Sequence, residues 1–311
     1  MRKHNILLNT DVPQKYYIIN LIDNPNNDHS YIPTGRQTPS ESAIFSSCFF
    51  TSLSSAESGG AISFNYGDSL TIQDCFFTSC SSTAGINDCS GGGAVHSNTG
   101  SKFNLFSSLF NSCSAVAYGG CVFVQRECES STVSFCTFIN STAAAAGGLI
   151  TYMGPSSSLS SSRFISCTAS QSGGGLYHDS EIQSSDFTLS DSLFVGNNAN
   201  YNGLRGGGAC EDYRSNSYSS HYFFSFFTRN TAPFGNGNDI SVQLYSFSES
   251  NVTHCFTTRL TDSFWNCGSY HTTEGKNWLP FSILSSLNTE SREISKNHSR
   301  MHTYEQHGSF L

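Results

Sequence analysis

Two short polar segments hold the residues whose types and spacing could support chemistry. His178-Asp179 and Glu211-Asp212 each follow a glycine pair by three and four residues. If neighbouring repeats bring these segments together, three carboxyl groups and one imidazole would share a surface that could bind a cation or exchange protons. The alternative is a solvated polar edge directly after a turn, and we favour that interpretation. No cofactor is expected in either case.

The composition excludes some function classes. The chain has a net charge of −8, and its 15 Lys and Arg residues are scattered without a cluster. A nucleic-acid partner is not expected, because phosphate binding needs a basic stripe. Serine and the 27 glycines form helices weakly, so a helical protein is also a poor match.

The elements that would position the polar segments are marked by a repeat. Phenylalanines recur at intervals of 27, 33, 28, 26, 30 and 33 residues, and a Gly-Gly pair follows each of the first six. The anchors are Phe50, Phe77, Phe110, Phe138, Phe164, Phe194 and Phe227. A period of about 20–50 residues is typical of a solenoid.

Alignment on these phenylalanines produces columns of like residues, as expected when each coil stacks on the next. The fifth residue before each anchor is apolar, as in Phe45 and Ile72, and an eighth copy fits with Val252 and Thr257. The second residue after each glycine pair gives a further column. Its members are Ile62, Val95, Val122, Ile150, Tyr177, Cys210 and Ile240. In this alignment His96 shares a column with His178, but three coils separate them by roughly 14 Å.

These columns predict an all-β fold, a right-handed parallel β-helix of about seven to eight coils with the pectate-lyase-like architecture. We expect an irregular or capping segment at 1–40, the β-helix at 41–265, and a polar, largely disordered tail at 266–311. A helical solenoid is disfavoured because the apolar spacing is 2, 3 and 5 and every repeat carries glycines. A β-sandwich would not explain so long a repeat.

The 12 cysteines could form a disulfide frame, but their positions favour packing. One column holds Cys48, Cys75 and Cys136, and another holds Cys80, Cys113 and Cys167. Free cysteine acts as a small hydrophobic residue in a core, and we expect that role here. If a bridge exists, the pair Cys121 and Cys128 across a short loop is the better candidate.

The repeat resembles that of polymorphic outer-membrane proteins and related β-helix surface proteins. The residues that carry the resemblance are Phe77-Thr78-Ser79-Cys80, Phe227-Thr228-Arg229-Asn230 and Gly59-Gly60-Ala61-Ile62. The resemblance covers about residues 43–260. It implies a non-catalytic, adhesin-like module at the cell surface or on a membrane. Its partner would be a host or extracellular protein or a glycan.

Two questions stay open at this point. A polysaccharide lyase or hydrolase is the alternative function, and it would need the four polar residues to converge with a basic residue such as Arg205 or Arg214. Neither a secretory signal nor a membrane span is visible in the sequence. An exposed coil end would leave unpaired strand edges, so end-to-end self-association is also expected.

Overall fold

A computed structural model describes residues 17–19, 33–85, 90–98, 102–125, 128–152, 156–180, 186–200, 208–214, 219–232, 239–244, 249–253, 255–257 and 264–265. Within these ranges the chain contains strands and no helix. The strands pair in parallel throughout, each with its counterpart one repeat away. The predicted parallel β-helix is therefore confirmed.

The coils build four sheets, which we number in the order that the chain enters them. Sheet 1 contains β1 (Tyr17–Ile19), β2 (Ala43–Ser46), β6 (Ser69–Gln73), β10 (Lys102–Phe106), β14 (Ser130–Ser134), β18 (Ser156–Ser160), β22 (Asp186–Ser190), β26 (Ser219–Phe223) and β29 (Glu249–Thr253). Sheet 2 contains β3 (Phe49–Thr51), β7 (Phe76–Thr78), β11 (Leu109–Asn111), β15 (Thr137–Ile139), β19 (Arg163–Ile165), β23 (Leu193–Val195), β27 (Phe226–Thr228) and β30 (Phe256–Thr257).

The other two sheets complete each coil. Sheet 3 contains the two-residue strands β4 (Ser54–Ser55), β8 (Ser81–Ser82), β12 (Ser114–Ala115), β16 (Thr142–Ala143), β20 (Thr168–Ala169) and β24 (Asn198–Ala199). Sheet 4 contains β5 (Ile62–Phe64), β9 (Val95–Ser97), β13 (Val122–Val124), β17 (Leu149–Tyr152), β21 (Leu176–Ser180), β25 (Cys210–Arg214), β28 (Ile240–Leu244) and β31 (Phe264–Trp265). The core lies between the sheets.

The anchoring phenylalanines form one continuous stack in that core. Phe50 pairs in register with Phe77, and the pairing continues through every anchor to Phe227 and then to Thr257. Ring centroids of successive anchors are 4.6–5.1 Å apart, with interplanar angles of 11° or less. Parallel strands about 4.8 Å apart dictate this spacing, so identical side chains must stack offset or face to face.

The column after the glycines differs from the prediction in two coils. Sheet 4 pairs Val122 with Leu149 and Leu149 with Leu176, not with Ile150 and Tyr177. The cause is the corner that precedes each strand. Five described coils place a residue at positive φ there. In four of them it is a glycine, but in the remaining coil, the fourth along the chain, it is Ala146, with φ 53°. The glycine pair at 147–148 therefore begins one residue later than in the preceding coils. In the next coil the triplet 173–175 has the same effect, because Gly173 takes the corner at φ 64° and the prediction aligned the later pair. Alignment on the glycines thus shifts the register by one in both coils.

Small polar side chains next to the phenylalanine stack bond each coil to the following one. The Cys136 N–H donates to Ser162 Oγ at 3.2 Å, and the Ser162 N–H donates to Ser192 Oγ at 3.2 Å. The Ser162 hydroxyl in turn donates to the Ser160 carbonyl at 2.8 Å. Cysteine takes the same place, because the Cys48 N–H donates to Cys75 Sγ at 3.4 Å. We call this column the Cys/Ser ladder; its members are Cys48, Cys75, Ser108, Cys136, Ser162, Ser192 and Ser225.

The six cysteines of the two predicted columns are free and buried, as expected. Cys121 is also a free thiol, so the possible bridge to Cys128 does not form. Burial raises the pKa of Cys136 and of Cys167 to about 12, which keeps both as thiols at neutral pH.

One strand lies N-terminal to the predicted start of the β-helix at residue 41. β1 lies inside the segment 1–40 that was expected to be irregular or to cap the β-helix, and it adds a strand to sheet 1 by pairing with β2. The chain divides into two compact units, Met1–Thr273 and Glu274–Leu311. The second unit and the whole of the predicted tail at 266–311 lie outside the described residues.

Candidate functional site

The four polar residues of the predicted site do not share one face of the solenoid. Successive residues of a strand point to opposite faces. His178 is 1% exposed and stacks on Phe187, a core residue of sheet 1, at 4.1 Å. The imidazole of His178 therefore lies inside the solenoid. Asp179 belongs to the opposite face, where the Tyr177 hydroxyl donates to its Oδ2 at 3.4 Å.

The register adds a second difference. β21 pairs His178 with Asp212 and Tyr177 with Glu211, whereas the glycine alignment paired His178 with Glu211. The predicted register was thus wrong by one residue, because Gly173 takes the corner position and the prediction had aligned Gly174-Gly175. The same shift moves His96 out of the column of His178 and into that of Tyr177. Arg205 lies outside the described residues, and Arg214 pairs in register with Ser180.

A groove on the outward face of sheet 4 brings together a different set of polar residues. It lies across the first coils and has a volume of about 400 Å³. Its floor contains Ser63 of β5 and His96 of β9. It also contains three amide side chains that directly follow β5, β9 and β13, those of Asn65, Asn98 and Gln125. Because 63 and 65 are two apart, as are 96 and 98, each pair projects from the same outward face. The corners that contain 56–58 and 84–85 make the wall, together with Arg36 and Ser90.

Arg36 fixes one end of this groove. Its guanidinium donates to Glu57 Oε2 at 2.6 Å, to the Gly59 carbonyl at 2.9 Å and to the Ser58 carbonyl at 2.7 Å. The Arg36 side chain is 21% exposed and that of Glu57 is 76% exposed. The ion pair is thus a partly solvated rim contact, and the two carbonyl bonds tie the guanidinium to the corner at Gly59.

His96 is the buried polar group of the groove. It is 4% exposed and packs against Phe123, its register neighbour, at a ring centroid distance of 5.4 Å. Within the part of the chain that the structure describes, neither ring nitrogen of His96 has a hydrogen-bond partner. Burial lowers the pKa of His96 to about 4, and the charge of Arg36 adds to this shift. The polar side chain of Gln125 lies close enough to the ring to oppose the shift, but it does not meet hydrogen-bond geometry with either ring nitrogen. The ring is therefore neutral at physiological pH, with one donor and one acceptor nitrogen.

The sequence offered a weak signal for this site. His96 was noticed only because of its distance to His178, and the amides at 65, 98 and 125 were not singled out. With the correct register, all of these residues fall at outward positions of three consecutive strands. That alternation is visible in the sequence once the column of Ile62, Val95 and Val122 is taken as inward.

The described residues hold no group of three or more His, Cys, Asp and Glu side chains that could bind a metal ion. Among the same residues no helix is long and apolar enough to cross a membrane. A scan against protein-family models, a search of curated proteins and a search of solved structures each found no match to this chain. The functional argument therefore depends on the residues and their geometry.

Proposed function

We propose that this chain is a non-catalytic β-helix module of a cell-surface, adhesin-like protein, which acts by presenting a binding surface. The observation that carries the proposal is the outward column of sheet 4. In consecutive coils that column holds Ser63, His96, Phe123, Ile150, Tyr177 and Glu211. The neighbouring inward column stays small or apolar from Ile62 to Ile240.

This contrast suits a surface that recognises a ligand. The inward side chains and the backbone ladders fix the shape of each coil, so the outward column carries different residues in successive coils while the strand register is kept. Stacked coils produce the extended surfaces that solenoid proteins use for binding. A host or extracellular protein or a glycan is the class of partner we propose.

We also propose that the repeats of this chain are related to those of polymorphic outer-membrane proteins. The structural roles of the shared residues support it. The side-chain amide of Asn230 donates to the Phe194 carbonyl at 3.1 Å, and that of Asn197 donates to the Phe164 carbonyl at 2.9 Å. Cys167 takes the same place, with Sγ 3.5 Å from the Phe138 carbonyl. Where it is Asn or Cys, the residue three after the phenylalanine thus bonds to the anchor of the preceding coil, which explains why these two residue types replace each other there.

The rival function, a polysaccharide lyase or hydrolase, has less support. It required His178, Asp179, Glu211 and Asp212 to converge in one groove, but His178 is a core residue and Asp179 belongs to the other face. General acid and base groups must both reach the substrate. This geometry works against that reaction, so binding without turnover is the function we propose.

Labelling of intact cells tests the proposal. Cells that express the native protein are treated with a surface-impermeant amine reagent, for which the exposed Lys102 offers a target. We expect labelled protein from intact cells at a level comparable with permeabilised cells. Recovery of label only after permeabilisation would contradict surface presentation. Turnover of an acidic polysaccharide that Asp212→Asn abolishes would contradict the non-catalytic function.

A further inference from the structure

We propose that the groove on the outward face of sheet 4 binds a neutral, polyhydroxylated ligand of the size of a short saccharide. This inference rests on the proposed binding function and gives it a location and a ligand class. The groove consists of outward residues of the first coils and the corners beside them. Its volume of about 400 Å³ falls in the range of about 300–1,000 Å³ that small-molecule sites occupy.

The first argument is the state of His96. A buried polar group normally has a hydrogen-bond partner, because leaving it without one is unfavourable. Among the described residues neither ring nitrogen of His96 has one, although the side chain is 96% buried and lines the groove. A ligand hydroxyl in the groove would supply that partner, since a hydroxyl both donates and accepts.

The second argument concerns charge. Arg36 is bound to Glu57 and to two backbone carbonyls, so its charge is compensated within the wall. His96 is neutral at physiological pH because of its burial. Among the described residues that line the groove, the charged groups are therefore one paired cation and its own anion. An anionic ligand would compete with Glu57 for Arg36, and a cationic ligand would meet a single carboxylate that is already paired.

The third argument is the row of amides. Asn65, Asn98 and Gln125 follow three consecutive strands of sheet 4, and the backbone ladder continues through them, with the Asn98 N–H donating to the Phe64 carbonyl at 2.8 Å. Neighbouring coils repeat at about 4.8 Å. Each amide offers one acceptor oxygen and a donor NH₂ group, a combination that suits hydroxyl groups along a sugar ring.

Two NMR measurements with a defined panel test this inference: saturation transfer detects binding through the ligand signals, and titrations followed in the protein spectrum report the His96 ring protons and the affinity. The neutral probes are methyl glucoside, N-acetylglucosamine and lactose, and the charged counterparts are glucuronate and glucosamine. We expect at least one neutral probe to bind with a Kd of about 1 mM or tighter. That probe should bind about tenfold more tightly than the charged sugars and should shift the His96 ring proton signals, which the His96→Gln variant identifies by their loss.

Variants with matched chemistry locate the site. Asn98→Ala and Gln125→Ala should each weaken binding of the neutral probe about tenfold, because each removes an amide from the floor of the groove. Asn104→Ala is the control: it removes an amide from β10 of sheet 1, away from the groove, and should leave the affinity within about twofold. Both groove residues are only partly buried, so folding should persist.

Three results would overturn the inference. In the first, no neutral probe shifts the His96 signals. In the second, charged sugars bind as tightly as neutral ones. In the third, Asn104→Ala and Asn98→Ala lose the same affinity for the neutral probe. The labelling experiment keeps this result separate from the proposed function. Surface exposure without saccharide binding would defeat only the groove assignment, whereas saccharide binding by a protein confined inside the cell would defeat only the surface module.

Discussion

The phenylalanine stack and the outward column of sheet 4 run along the same coils but follow opposite rules. In the stack, seven successive coils place the same residue at the same point, and each ring lies on the next at 4.6–5.1 Å. In the outward column, six successive coils place six different residues. Repetition holds the coils together, and variation is confined to positions where it does not disturb the stacking.

Burial alone does not separate the two columns. Ser63, His96 and Phe123 of the outward column are 2%, 4% and 0% exposed, much like the phenylalanines of the stack. The difference lies in what covers them. The stack lies in the main core between the sheets, whereas Ser63 and His96 line the groove beside the corner segments of its wall. Tight packing of the stack and polar burial near His96 should therefore respond differently to mutation and to pH.

Removal of a ring from the middle of the stack should have the largest effect. Phe138 is fully buried and stacks on Phe110 and Phe164 at 5.1 and 4.7 Å. Phe138→Ala should lower the free energy of unfolding by about 3–5 kcal/mol through lost burial and a residual cavity. Urea unfolding followed by circular dichroism measures it. Phe135→Ala is the matched control, since Phe135 is 65% exposed and its loss should cost less than about 0.5 kcal/mol. Equal costs at the two sites would contradict the stacking argument.

The corner glycines should divide into an intolerant and a tolerant position. A Cβ on Gly120 would lie 2.1 Å from the Gly147 carbonyl oxygen of the next coil. Gly120→Ala should therefore destabilise the fold by about 3 kcal/mol or more. Gly119 has φ 59°, but Ala146 occupies that same corner one coil later with φ 53°. A Cβ at the equivalent Gly92 would lie 2.0 Å from the Val95 carbonyl oxygen, so this corner must also shift locally, as Ala146 shows that it can. Gly119→Ala should thus cost about 1–2 kcal/mol of left-handed strain plus that local shift, and still less than Gly120→Ala.

Thermal unfolding of both corner variants in one buffer decides this prediction. A larger loss in Gly119→Ala than in Gly120→Ala would show that backbone strain, rather than close approach of the coils, requires these glycines.

The buried imidazole should make the stability of the first coils depend on pH. The pKa of His96 is lowered from 6.5 to about 4 by burial. Between these values the unfolded chain binds a proton that the folded chain does not, so stability is full above about pH 6.5 and falls as the pH drops towards 4. The total loss is roughly 3 kcal/mol, at about 1.4 kcal/mol per unit.

Urea unfolding at pH 7 and pH 5 measures this effect. The His96→Gln variant should lose less stability than the original chain over that interval, because its side chain does not titrate. An identical loss in both proteins would mean that groups other than His96 account for the pH dependence.

The Cys/Ser ladder should give the smallest change. Ser162 Oγ accepts the Cys136 N–H, so Ser162→Ala leaves a buried donor unpaired and should cost about 1–2 kcal/mol. Ser162→Cys keeps an acceptor and should cost less than about 1 kcal/mol, because cysteine already serves at Cys75. Chemical unfolding of the two variants compares them, and a serine-to-cysteine change as costly as the alanine change would refute interchangeability.

The stack could be predicted from the sequence because it repeats one large residue at a nearly constant interval. The sheet 4 register could not, since the glycine pair that marks the corner starts at Gly119 in one coil but one residue after Ala146 in the next. An alanine at positive φ is rare enough that no pattern rule assigns it there. Further non-glycine residues at positive φ, such as Ser47 and Asn140, escaped prediction for the same reason.

The groove could not be predicted from the sequence either, but for a different reason. Whether an outward residue is buried depends on the path of the corner segments that fold over the sheet, and periodicity within a strand carries no information on that path. In the sequence, His96 therefore looked like a single polar residue after a turn, although the groove wall at 84–85 and Ser90 lies beside it. The amides beside it belong to residue types that are common on protein surfaces, so their type did not indicate a groove either.

The direction of the Cys/Ser ladder has a consequence for how such a molecule can change length. Each side chain of the ladder accepts the N–H of the coil before it and donates to a carbonyl of its own coil. Each coil therefore supplies the acceptor that the ladder N–H of the preceding coil requires. Duplication of one whole repeat would insert a unit that its neighbours already fit, and would lengthen the solenoid by about 4.8 Å without a new interface. Gene-level gain or loss of coils is thus a conservative change for this architecture, whereas a deletion of part of a coil is not.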